Sequence, residues 1–533
     1  LELNIINNIK LNTMKTKKSL YRKWAGRLLL FLAPILILTA CTKNFEEINS
    51  QPDGLKELTS PDLRSLFPGS IVNGVGAGYN ETSMLLFPGV YSQHFAGTNI
   101  NQESHRYVIV QRWQDIWPLT YVRVMPPLVN IIEATKGGKE PSMNAIARIW
   151  KVFCFMRVTD EFGPIPYSKI GKDTAVVNYD DQKSIYFDFF KELNEATKDL
   201  STNIAKPSFG SKDILYNGDN AKWLKFGNTL RLRLALRISD VEPAKAKVEA
   251  EAAIAGGVMT AVTDAAIFKT SADFPNGLNN FMGRNGSRMS TAMESLLVGY
   301  SDPRLPVFWS PALSDGKFRG VRNGMSVAQQ NMSENSINNN SAVGPKYNAA
   351  NMNTTPQAVF YASEAYFLRA EGALNGWNMG GTAIEMYEKG IETSMREHDI
   401  TNAGTISAYI NGTSLPSAPI SMFPTPPLTD IPVKFESNIE RQREQIGTQK
   451  WIALFPESHE AWANIRRTGY PKFYPLLNSQ NPDITPDKMI RRISFLDREI
   501  IANGPAVKAA VPMLGGGPDN VATRLWWDKS KSK

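Results

Sequence analysis

Four histidines, two cysteines and 51 acidic residues are the side chains of this 533-residue chain suited to acid–base, nucleophilic or metal chemistry. Their spacing argues against catalysis. His94, His105, His398 and His459 are scattered. No HExxH, paired CxxC or other ligand spacing accompanies them, so no metal and no cofactor is expected. The many Asn and Asp side chains leave room for a bound calcium ion, although no EF-hand-like spacing is present. Cys154 sits in the apolar run WKVFCFM, the setting of an inert core thiol rather than a nucleophile. GxSxG is absent, and GVGAGY and LGGGPD are glycine turns without a strand–glycine–helix context. GGKE lacks the Ser or Thr that a phosphate loop needs after its lysine. A glycoside hydrolase needs only two facing carboxylates about 5–10 Å apart, so acidic content leaves that reading open.

The second cysteine has a more specific setting. Leu28 to Thr39 is apolar and, as a helix, reaches roughly 18 Å against a hydrocarbon core of about 30 Å, too short for a permanent span. Lys15, Lys17, Lys18, Arg22, Lys23 and Arg27 precede it, as in the positive region of a secretory signal. Initiation at Met14 would make residues 1–13 an upstream extension. The run ends in Leu38-Thr39-Ala40-Cys41, which resembles the lipobox of bacterial lipoproteins. In that motif the thiol takes up a diacylglyceryl group and the cysteine becomes the new N-terminus. Residues 1–40 are therefore expected to be removed and Cys41 to carry the membrane anchor, since several acyl chains hold durably where one does not.

Charge changes with that cut. Residues 1–40 contain seven basic and one acidic residue, so their loss takes the net charge from +8 to +2. The electrostatic support for a nucleic-acid partner disappears with them.

The elements that must position any binding side chains read mainly as helices. In DNAKWLKFGNTLRLRLALRISDV, Asp219 or Asn220 can cap the start, and Trp223, Phe226, Leu230 and Leu234 recur at helical steps. Arg231, Arg233 and Arg237 fit a solvated face or acidic partners better than an anion site. Helices are also expected over Tyr121–Ala134, Met143–Thr159 and Ser184–Leu200. Ala358–Leu374 and Thr382–His398 form a tetratricopeptide-like hairpin with small residues Ala365, Ala370 and Ala373 at the approach, though no strict 34-residue period repeats. Residues 271–350 and 401–440, rich in Asn, Gly and Pro, read as long loops.

Several stretches together resemble a family. CTKNFEEINSQPDG, RVTDEFGPIPYSKIG, KWLKFGNTLRLRLALRISDVEPAKA, ASEAYFLRAEGAL, IGTQKWIALFPESHEAWANIRRTGYP and TRLWWDK are similar, in order, to stretches of SusD/RagB-type nutrient-binding outer-membrane lipoproteins, more narrowly of the SusD-like subgroup. The resemblance runs from Cys41 to Lys529. It implies a mainly α fold, a tetratricopeptide-like helical-repeat scaffold with long irregular loops. It also implies one SusD-like domain over residues 41–533, with a loop-rich insertion at about 271–350. The implied role is capture of a glycan or peptide at the cell surface and delivery to a TonB-dependent (SusC-like) outer-membrane transporter, without bond breaking. A helical-repeat lipoprotein that binds another protein is the alternative, and a glycoside hydrolase is the least favoured reading. Exposed rings around a pocket would mark nutrient capture; a flat groove would mark a protein partner.

Sugar sites combine aromatic rings with Asn, Asp, Arg and Gln side chains. The loop YSQHFAGTNINQESHRYVIVQRW offers Asn99, Asn101, His105, Arg106 and Tyr107, with His94, Tyr107 and Trp113 as candidates for packing its base. By composition, a second loop offers Asn279, Asn280, Phe281, Arg284 and Arg288, and a third Trp309, Phe318 and Arg319. Trp117 and Tyr121 read as core. So do Trp451, Phe455 and Trp462, with Arg466 and Arg467 paired to carboxylates and Trp526 and Trp527 as a docking plug.

Overall fold

A computed structural model describes residues 58–76, 87–171, 176–282 and 286–530. Leu1–Thr59 and Ser60–Lys533 are separate units, and every described helix and strand belongs to the second. Cys41 and the leader lie outside the described residues.

Helices dominate. The longer ones are α1 (Ser60–Gly74), α2 (Met125–Ala134), α3 (Pro141–Phe162), α4 (Gln182–Thr202), α5 (Asn220–Arg237) and α6 (Pro243–Gly256). They continue with α7 (Thr291–Gly299), α8 (Ala362–Leu374), α9 (Ala383–Glu397), α10 (Ala403–Ile410), α11 (Ile439–Ala453) and α12 (Ser458–Thr468). Their starts follow from short polar side chains that satisfy orphan amides. Asp181 accepts from Ser184 N at 3.0 Å, and Asp219 from Lys222 N at 3.1 Å. Thr382 and Glu385 cap each other's backbone amides reciprocally.

Neighbouring helices pack as hairpins, α3 on α4, α5 on α6, α8 on α9 and α11 on α12, and α4–α5, α5–α8 and α8–α11 contacts join the pairs. The close approach of α8 and α9 falls at Gly390, where an added Cβ would lie 2.8 Å from the Phe367 ring. Trp150, Phe153, Trp223, Phe226 and Phe360 form one connected aromatic cluster in the core. Arg231, Arg233 and Arg237 are buried and pair with Glu249, Glu364 and Glu460, so acidic partners account for them and a solvated face does not.

Three expectations need correction. The helix expected from Tyr121 begins at Met125, because Leu119–Val124 forms one wide π turn before it. The helix expected from Ala358 begins at Ala362, because β4 (Gln357–Phe360) pairs antiparallel with β2 (Ala266–Phe268), Ala266 opposite Phe360. Both stretches read as loops also hold regular helices: α7 within 271–350, its start capped by Ser290 accepting from Met293 N at 3.1 Å, and α10 within 401–440, capped by Asn402 accepting from Thr405 N at 2.9 Å.

Candidate functional site: a loop face built around one short strand

The three candidate loops meet at β3 (Ser287–Met289). On one side β1 (Phe95–Gly97) pairs with it antiparallel, Phe95 opposite Met289 and Gly97 opposite Ser287. Thr98 N donates to Gly286 O at 2.9 Å, so the first loop leaves the sheet beside the second. On the other side Val321 N donates to Met289 O at 2.7 Å, which brings in the stretch containing Phe318 and Arg319. Ser341 N donates to Arg319 O at 2.9 Å and Met289 N to Ser341 O at 3.1 Å, closing the ring of segments. Ala96, Val321 and Met325 form a small apolar cluster beneath, with Phe423 and Leu477 packed on it. A two-stranded sheet is marginal alone, and this cluster gives it the packing it needs.

The first loop is held from inside. His105 is buried; its Nε2 lies 2.8 Å from Arg106 Nη1 and 3.0 Å from Gln330 Nε2. Burial, reinforced by the Arg106 charge, lowers this imidazole to about 3, so it is neutral and can accept from both neighbours. Its ring lies flat on Gly97, where a Cβ would be 2.8 Å away. Arg106 Nε donates to Gln480 Oε1 at 2.7 Å and Nη2 to Ile100 O at 3.2 Å. Tyr107 is buried with a left-handed φ of 68°. His94 is buried as well, lowered to about 3 by burial, with Nε2 3.0 Å from Trp451 O.

His105, Arg106 and Tyr107, from which ligand contact was expected, are buried here and fasten the loop. Four other candidates are likewise placed inside. Asn279 is fully buried and donates to Lys346 O and Asn348 O at 3.0 and 2.8 Å. Phe281 is buried; Arg288 is buried and donates to Ser287 O at 2.9 Å. Trp309 fills the core, its ring centroid 5.6 Å from Phe95 and 5.3 Å from Phe455. His105 Nδ1, Asn279 Oδ1 and Trp309 Nε1 have no hydrogen-bond partner, but all three atoms are buried.

Asn99, Asn280, Phe318 and Arg319 are half-buried and Asn101 is exposed. Asn99 Oδ1 accepts from Asn101 N at 2.9 Å, which sets the loop tip. Arg319 pairs with Asp315. Arg284 lies outside the described residues. Sequence reasoning missed the segment 476–481. Asn478 Nδ2 donates to Gly324 O and Gln329 Oε1 at 2.9 and 2.8 Å, Gln480 N donates to Arg106 O at 2.8 Å, and Asn481 Nδ2 donates to Tyr107 O at 3.0 Å. The Asn/Gln-rich NSQNPD was the available signal. Exposed large apolar side chains along the joined segments are Ile100, Phe274, Leu313, Val327, Met332, Ile337, Ile420 and Met422, of which one, Phe274, is aromatic.

The aromatic residues read as core are core. Trp117, Trp451, Phe455, Trp462 and Trp527 are buried, and Tyr121 is half-buried with its hydroxyl donating to Pro166 O at 2.7 Å. Arg467 pairs with Glu371 at 2.6 Å, while Arg466 donates to the carbonyls of Asp160 and Arg491 and lies over the Trp462 ring. Among the described residues no cluster of His, Cys, Asp and Glu is arranged to hold a metal, and no helix is long and apolar enough to cross a membrane.

No protein of curated function matches this chain. Solved structures do. A chitin-binding SusD homologue from Flavobacterium johnsoniae shares 35% identity, with a TM-score of 0.81 over 87% of this chain and 98% of that one. A SusD-like protein from Bacteroides thetaiotaomicron shares 30% identity, with a TM-score of 0.80 over 88% of this chain and 99% of that one. A SusD homologue from Bacteroides vulgatus shares 30%, with a TM-score of 0.78 over 85% and 93%. The profile of the family described as SusD and RagB outer membrane lipoproteins matches residues 70–528. With its stacked helical hairpins and its loop face, the chain belongs to the SusD-like family.

Proposed function

We propose that this protein is a cell-surface lipoprotein that captures a glycan on the face around β3 and delivers it to a TonB-dependent outer-membrane transporter. One observation carries the reading: three loops distant in sequence are locked together at β3 on a rigid helical body, in a chain similar to a chitin-binding relative. Sites of this kind bind by presenting preset polar groups, which limits the ordering cost of association. Asn99, Asn101, Asn280, Phe318 and Arg319 are the side chains available for contact, while the buried set holds them in place. In this reading no bond is made or broken. Cys41 carries the acyl anchor.

The test is a titration of the detergent-solubilised lipoprotein with chitooligosaccharides and a panel of other glycans. A chitin-type ligand whose binding weakens on Asn99→Ala with Asn101→Ala supports the reading; binding indifferent to those changes sinks it. Transporter hand-off is tested by co-purification of a β-barrel partner from outer membranes. A peptide ligand is the second reading, favoured by the aliphatic surface of Ile100, Met332, Ile337 and Met422. It predicts that apolar peptides, and not glycans, bind and that Ile337→Ser weakens them.

A further inference from the structure

A cavity of about 870 Å³ lies between α11, the end of α12 and residues 470–475. That volume falls within the roughly 300–1,000 Å³ of small-molecule sites. Three features show it is built to hold something. Gly447 on α11 lets Tyr470 lie directly over the helix, since a Cβ there would sit 2.6 Å from the Tyr470 Cβ. Asn464, 1% exposed, stands in the cavity wall and donates its Nδ2 to Gly447 O and Tyr470 O, which fixes the turn that carries Tyr470. Finally, Tyr470 and Phe473 are half-buried in the wall, and neither ring stacks on another aromatic among the described residues.

The charges of the wall indicate the class of ligand. Arg467 pairs with Glu371 at 2.6 Å, Lys450 with Glu460 at 3.0 Å, Lys472 with Glu444 at 3.2 Å and Arg443 with Glu440 at 3.6 Å. These four cations are matched by carboxylates, and the lining adds Asp240 and Asp487 against one further cation, Lys529, so the wall does not select an anion. A neutral molecule with an apolar face and hydrogen-bond donors fits this lining. We propose that the cavity is a second saccharide site, which seats a hexose unit against Tyr470 and Phe473. This rests on the glycan-capture reading above and adds a site to it. The segment that walls the cavity continues directly into Asn478, Gln480 and Asn481 of the loop face, so both sites hang on one stretch of chain.

The experiment is calorimetric titration of the solubilised lipoprotein with chitotriose, on the unaltered chain, on Phe473→Ala and on the Asn99→Ala, Asn101→Ala pair. Two binding events are expected, with Phe473→Ala weakening one of them by about tenfold, the size of one aromatic contact, and leaving the other in place. If only the loop-face changes alter binding, the second site is overturned and the loop-face reading stands. If only Phe473→Ala alters it, the cavity stands and the loop face falls. No binding to any form overturns both. Crystals of the unaltered protein soaked in the same sugar give an independent reading. Density between Phe473 and Asn464 supports the site, and density at the loop face alone removes it.

Discussion

Arg233 and Glu364 meet as a two-point ion pair deep in the helix stack, Nε to Oε1 at 2.9 Å and Nη2 to Oε2 at 2.6 Å. The pair clips α5 to α8, which belong to different hairpins, and both side chains are 2% exposed or less. Lys450 from α11 and Glu460 from α12 continue the alternation at 3.0 Å. The body that carries the loops is thus fastened by buried charge as well as by aromatic packing.

Removing one partner should be far worse than removing both. Glu364→Ala leaves the buried Arg233 guanidinium with Glu460, 3.6 Å away, as its remaining ion-pair partner and is expected to lower unfolding free energy by about 3 kcal/mol. Glu364→Leu combined with Arg233→Met should recover most of that loss. Urea unfolding followed by circular dichroism measures both; a loss below about 1 kcal/mol for the single change would contradict a structural role for the pair.

Glu397, at the end of α9, supplies the cap that α8 lacks. Tyr361 offers no side-chain acceptor there, and Glu397 Oε1 instead accepts from Ala362 N at 2.7 Å and Ser363 N at 3.2 Å. Burial raises this carboxyl to about 7 against the hydrogen bonds that lower it. The folded chain then holds the proton more tightly than the unfolded one, so the group's contribution is full below about pH 4.5 and declines as pH rises through 7. Glu397→Gln keeps one acceptor and cannot ionise. Relative to this variant the unaltered protein is expected to lose on the order of 2 kcal/mol between pH 5 and pH 8, read from denaturant midpoints at the two pH values. A difference between the two proteins that stays constant with pH would refute the assignment.

Cys154 is 3% exposed and burial pushes its thiol up to about 12, the nearby Arg157 charge notwithstanding. It should be silent to Ellman's reagent in the native protein at pH 8. In guanidinium the count becomes informative, because the chain has two cysteines. An acylated Cys41 is a thioether and cannot react, so one thiol should appear from native membranes, against two in a Cys41-unmodified preparation. Two thiols from native membranes would sink the lipidation proposal.

Much of the scaffold was legible because its signals are local. Asp219 and Thr382 start helices by capping amides two or three residues on, and the steps of Trp223, Phe226 and Leu230 follow from helix periodicity alone. The strand at Gln357–Phe360 was not legible, since its partner lies ninety residues earlier and QAVF fits either period. The loop face divides the same way. The family resemblance marked the first loop and composition the other two, but which side chains turn outward depends on distant groups: Asn279 caps carbonyls 67 and 69 residues away, and Trp309 closes a gap between Phe95 and Phe455. Asn and Trp are good sugar contacts and equally good internal fasteners, and only the long-range packing separates the two uses.

Arg106 makes that distinction measurable. It ties the first loop to the segment 476–481 through Gln480 and ties the loop to itself through Ile100 O, while sharing His105 with Gln330. Its stem is buried and its guanidinium makes no contact that a ligand would replace. Arg106→Ala should therefore act on binding through order rather than through a lost contact. The loop that carries Asn99 and Asn101 would have to be organised by the ligand, at a cost of about 0.5–1.5 kcal/mol for each side chain immobilised, or roughly tenfold in affinity overall. Hydrogen exchange is expected to quicken in residues 98–107 and 476–481 of the free variant and to stay unchanged in α3, α5 and α8. Weaker glycan binding with no change in exchange would mean that Arg106 touches the sugar itself, and its place would be among the contact residues with Asn101.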